Sequence, residues 1–97
     1  MTFSDLESAV AGRVPLPQDA PPLLRALWFD AVGDWERAHA IAQDVDTPEG
    51  SWVHAYLHRR EGDADNAAYW YRRAGRPVAR GGLDEEWRTL AQAFTSA

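Results

Sequence analysis

The sequence predicts an all-α protein, a small bundle or short solenoid of about six helices. Apolar residues recur at helical spacing in successive stretches. Gly, Pro and Asp punctuate the chain between those stretches, as helix stops and starts require. No segment alternates apolar and polar residues for long, so no strand is expected.

Taken in order, Ser4 and Glu7 fit a capping box that opens a helix running to about Ala11 and stopping at Gly12. The run VPLPQDAPP follows, and its prolines make it an extended connector. Asp19 precedes Pro21 and Pro22, residues that suit a first helical turn, and the helix LLRALWFDAV ends at Gly33. Asp34 is a good N-cap for a helix from Trp35 to about Asp44. The segment DTPEG reads as the next break, and Ser51 or the residues just before it open a helix that ends at Gly62. Asp63 or Asp65 caps a helix to Gly75, GRPVARGG forms a loop, and Asp84 starts a final helix over residues 83–96.

Gly33-Asp34 followed by Ala38 returns as Gly62-Asp63 followed by Ala67, an internal repeat with a period of 29 residues. Gly allows the left-handed turn after one helix, Asp caps the next, and the small Ala lets the two approach. This order of helix, Gly-Asp turn and helix resembles tetratricopeptide and Sel1-like repeats over about residues 23–76, at a shorter period than their usual 34 or more. NAAYWYRRAG in particular is similar to the second helix of a Sel1-like repeat. The longer block SWVHAYLHRREGDADNAAYWYRRAG resembles a group of short bacterial proteins carrying WVHAYLHRxEGDxxNAxYWYRRA. The resemblance implies two stacked helical hairpins over residues 22–76, with flanking helices that cover their ends. It implies no particular activity.

The length allows one domain, residues 1–97, and a hydrophobic content of 45% with five Trp supplies material for a core. There is no Cys, which suits a reducing compartment. MTFSDLESAV has neither the basic nor the apolar part of a signal peptide, and no apolar run approaches the roughly 20 residues of a membrane span. A cytoplasmic protein without a membrane segment is therefore expected. The net charge of −5 argues against nucleic acid as the main partner. Every basic residue is Arg, a pattern that fits the codon bias of a GC-rich bacterial genome. Arg also offers planar, bidentate contacts to anions.

Nucleophilic catalysis lacks support. Ser4, Ser8, Ser51 and Ser96 stand in capping or terminal contexts without a G-x-S-x-G elbow, and Cys and Lys are absent. Gly81-Gly82 is a bare pair rather than a phosphate loop, and Glu85-Glu86 complement a helix start. No cofactor motif is present.

The informative helix is Trp52–Glu61, with Trp52, Val53, Tyr56 and Leu57 on a core stripe. His54, His58 and Glu61 share the opposite face at i, i+4 and i+7. Two His and a carboxylate are ligands for a first-row metal, although a metal-protease helix would carry Glu where Ala55 stands. The plainer reading is a polar face on which Glu61 pairs loosely with His58. A second candidate is an anion site. His58, Arg59, Arg60, Tyr69, Arg72 and Arg73 belong to two helices that should pack as a hairpin, and such groups form charge-assisted bonds with phosphate or carboxylate. Asn66 reads as a cap or as a groove residue, and His39 as a lone surface histidine.

These features lead to three expectations. The leading one is a non-catalytic binding module for an acidic peptide or small anion, its groove lined by His54, His58, Arg59, Glu61, Asn66, Tyr69, Arg72 and Arg73. The alternatives are a metal-binding or enzymatic site on His54, His58 and Glu61, and a structural homodimer using Phe29, which falls off its helix's main apolar stripe.

Overall fold

Gly33 and Gly62, one repeat interval apart, both adopt left-handed backbone (φ 92° and 89°) in the computed structural model, which describes residues 1–95. That conformation is cheap for Gly and costly for other residues. The Asp after each turns the chain into its next helix. Asp34 accepts the backbone N–H of Arg37, and Asp63 accepts that of Asn66. The two hairpins are α2 (Pro22–Ala31) with α3 (Trp35–Gln43), and α4 (Pro48–Glu61) with α5 (Ala64–Ala74). Helices α1 (Phe3–Ala11) and α6 (Leu83–Phe94) flank them, and no strand forms among the described residues. The all-α class and the six helices match the expectation.

Several helix starts differ from the sequence reading. The capping box on α1 uses Thr2 and Asp5 instead of Ser4 and Glu7. Helix α2 begins as expected at the prolines, with Pro21 at the N-cap and Pro22 in the first turn, and has no side-chain cap. The largest shift is at α4. Thr47 accepts the N–H of Gly50 and Pro48 takes the first helical position, so most of DTPEG is helix and not a break. Asp63, not Asp65, caps α5. Gly82 precedes α6, and Asp84 sits within its first turn. Helix α6 ends at Phe94, and Ser96 lies outside the described residues.

Helix α4 packs against α5, α3, α6 and α2, so it is the central element. Every residue from Gly50 to His58 is buried, His54 and His58 included. A helix enclosed on all sides has no polar face to present to water. Around it Leu6, Leu24, Leu27, Val53, Tyr56, Leu57, Tyr71 and Leu90 form the fully buried core. The radius of gyration, 12.3 Å, is close to the roughly 12.5 Å expected of a compact chain of this length. No helix among the described residues is long and apolar enough to cross a membrane.

Buried polar groups are tied across elements. The Tyr56 hydroxyl donates to Asp30 at 2.7 Å, and Arg60 Nε lies 3.0 Å from that hydroxyl and 3.1 Å from Asp30 Oδ1. Nε carries a single N–H, and it is directed at the hydroxyl. Asp30 Oδ1 therefore gains charge contact but no hydrogen bond. Burial raises the Asp30 carboxyl above its ordinary range, outweighing the Tyr56 bond and the Arg60 charge. In a second network Glu86 accepts the Tyr71 hydroxyl and the Arg59 guanidinium, which also reaches the Gly81 carbonyl. Glu86 lies in the first turn of α6, as the sequence predicts, but it is also buried. Its partners come from α4 and α5.

Candidate metal centre

Three imidazoles meet where α3 faces α4. His54 and His58 lie one turn apart on α4, and His39 comes from the middle of α3. One ring nitrogen from each lies within 4.8 Å of the others, and His39 Nε2 is 2.9 Å from His54 Nε2. His54 and His58 are 5% and 6% exposed and His39 is half-buried, so the cluster opens toward solvent on the α3 side. His39 is therefore not the lone surface histidine of the sequence reading. The fold brings it onto a pair that one helix alone supplies.

Aromatic packing holds the rings. Trp35 stacks on His39 at 4.8 Å and 12°, and its indole N–H donates to the Leu57 carbonyl at 2.7 Å. Trp70 stacks on His54 at 3.9 Å and 15°, while His54 stacks in turn on His58 at 4.7 Å. Glu61 accepts from His58 Nδ1 at 2.6 Å, tighter than the loose pairing expected from sequence. A proton held on Nδ1 makes Nε2 the lone-pair nitrogen of this ring. The Asn66 side-chain amide stands 3.4 Å from that Nε2. Asn66 thus faces the cluster, and the cap is provided by Asp63.

The electrostatics favour the neutral ring at His54 and His39. Burial, and then the neighbouring His39 and His58, push His54 down to about 4. Burial followed by His58 also lowers His39, against a smaller upward pull from Glu61. Metals bind the deprotonated imidazole, so a depressed pKa keeps the ligand form available at neutral pH.

A second grouping brings together His58, Glu61 and Asp63. Its geometry is less suited to an ion, because Glu61 already engages His58 Nδ1 and Asp63 is occupied in capping α5. Of the other residues in the expected groove, Arg59 turns away to Glu86 and Gly81. Arg72 is exposed. Tyr69 accepts from Arg73 at 3.2 Å, and Arg73 lies over the Trp70 ring at 5.3 Å. The structure thus brings together His54, His58, Glu61 and Asn66, adds His39, and leaves Arg59 on another side of the molecule. No protein-family model, curated protein or solved structure matches the chain.

Proposed function

We propose that this protein binds one first-row transition-metal ion, zinc being the simplest occupant, through His39, His54 and His58. The observation that carries the reading is the convergence of three ring nitrogens within 4.8 Å at the α3–α4 contact. Nitrogens on one tetrahedral zinc stand roughly 3.3 Å apart, from a bond length of about 2.0–2.1 Å. The 2.9 Å between His39 and His54 needs only a slight spreading to match. Imidazole suits zinc, copper and nickel and is a poor ligand for magnesium or calcium. Glu61 supports the reading as the carboxylate that orients His58, the usual arrangement behind a metal-bound His. Three protein ligands leave a fourth position for water or an anion.

The test is zinc titration of chelator-treated protein by calorimetry, with magnesium as the control. One zinc per chain is expected, and His39→Ala should abolish high-affinity binding. His39 is half-buried, so this variant should remain folded. Zinc at 100 times its dissociation constant should stabilise the protein by about 2.7 kcal/mol. Zinc that binds equally well to His39→Ala would exclude this centre.

A second reading concerns the exposed neighbourhood. Arg73 lies over Trp70, the ring that stacks on His54, and Tyr69 and Arg72 are close by in sequence on α5. An acidic group held by Arg73 is the form in which the anion-binding expectation survives. Arg73→Ala would weaken anion binding while leaving zinc affinity unchanged.

A further inference from the structure

A separate cleft of about 390 Å³ lies between the proline-rich connector and the outer side of the first hairpin. Its lining combines Pro15, Leu16 and Gln18 from the connector, Arg25, Trp28 and Phe29 from α2, and Arg37 from α3. That volume falls in the range of small-molecule sites. None of the metal-cluster residues takes part.

The charge pattern is unusual for this chain. The protein carries a net charge of −5, yet the cleft is lined by two guanidinium groups and no carboxylate. Arg37 lies over the Phe29 ring at 5.1 Å and has a loose, exposed pairing with Asp34 at 3.7 Å. Arg25 has no ion pair among the described residues. Cationic groups above an aromatic wall suit a molecule with an anionic head and an apolar body.

An independent observation points the same way. Trp28 is 6% exposed, and its indole N–H is buried with no acceptor. A buried donor without a partner is destabilising. The edge-to-face contact with Phe29, at 5.1 Å and 83°, gives the ring a neighbour but no lone pair. One of the residues that line this cleft thus carries an unmet donor, and two others carry guanidinium groups.

We infer that this cleft binds a small organic carboxylate with an aromatic or apolar body. Its carboxylate pairs with Arg25 and Arg37, and its body lies against Trp28, Phe29 and Leu16. The amide of Gln18 supplies one further polar contact at the rim.

The probe is 4-phenylbutyrate, titrated into chelator-treated, ¹⁵N-labelled protein and followed through the indole N–H signals of the five tryptophans. Trp28→Phe assigns the Trp28 signal. That signal should shift saturably, while those of Trp52 and Trp70 stay in place. Arg25→Gln should weaken binding about tenfold, as loss of a charge-assisted bond implies. The uncharged 4-phenylbutanol should bind wild-type protein about tenfold more weakly for the same reason. The inference is overturned by no saturable shift at Trp28, by shifts confined to other tryptophans, or by equal affinity for the alcohol. Undiminished binding by a folded Arg25→Gln/Arg37→Gln double variant overturns it as well. Because the metal is removed and the residues are different, the result is independent of the histidine cluster.

Discussion

His39 Nε2 and His54 Nε2 stand 2.9 Å apart although 15 residues and a change of helix separate them. The contact is made by the packing of α3 on α4, and neither helix contains it alone. It turns an i, i+4 histidine pair on α4 into a three-nitrogen cluster. Trp35 and Trp70, stacked on its two ends, restrict how far the rings can turn.

The role of Glu61 is open to a direct test. Its carboxylate holds the His58 Nδ1 proton, which fixes the ring's orientation and leaves Nε2 as its lone-pair nitrogen. Glu61→Gln should lower zinc affinity about 10–100-fold, the usual effect of losing such a partner. Glu61 is exposed, so metal-free stability should change by less than about 0.5 kcal/mol. Calorimetric titration gives the affinity and urea unfolding the stability. Unchanged zinc affinity would remove Glu61 from the site.

Tyr56 satisfies a carboxylate inside the protein. Removing its hydroxyl in Tyr56→Phe leaves Asp30 Oδ2 without its donor, beside an Oδ1 that already has none. The expected cost is about 1–3 kcal/mol by urea unfolding. A smaller loss in an Asp30→Asn background than in wild type would locate the effect in this pair.

Asp30 also sets a pH dependence. Its folded-state pKa is raised by burial above the ordinary value of 3.8, so the folded chain holds this proton more tightly than the unfolded chain. The contribution to stability is full below 3.8 and falls away as pH rises through the folded value. Urea unfolding across mildly acidic pH should therefore show a component that weakens as pH rises. Asp30→Asn should remove it, and an unaltered profile in that variant would contradict the assignment.

Gly50 is required by space. A Cβ there would collide with the Val45 carbonyl, a backbone group that cannot swing aside. Gly50→Ala should cost at least about 1–3 kcal/mol, in the range of overpacked interiors. Wild-type stability in thermal unfolding would show that the α3–α4 connection yields more easily than its packing implies.

The helices were legible because their punctuation is local. Gly33-Asp34 and Gly62-Asp63 each place a left-handed turn next to a capping side chain. The start of α4 was misread although its signal was present. Thr47 followed by Pro48 is a cap and a first-turn proline, although a proline between two helices equally suits a break. Part of the site was legible too, since His54, His58 and Glu61 recur at helical spacing. His39 could not be found this way, because its partners lie on another helix and periodicity carries no information across a tertiary contact. The same limit hid the burial of His54, His58 and Glu86. A helical wheel assumes one face toward water, and α4 is covered from every side. Glu86 looked like a helix-start charge because its partners, Arg59 and Tyr71, belong to other elements.

Cobalt(II) reports whether the three histidines hold one metal ion, because its visible spectrum depends on ligand number and geometry. Chelator-treated protein should take up one cobalt per chain. It should show the intense visible bands of a four-coordinate, nitrogen-ligated ion, which zinc then displaces. His39→Ala and His54→Ala should each lose those bands, while Arg72→Ala, altered at an exposed position on α5, should keep them. Weak bands like those of the hydrated ion in wild-type protein, or unchanged bands in His39→Ala, would contradict the account. The 2.9 Å contact would then be a hydrogen bond between two packed imidazoles.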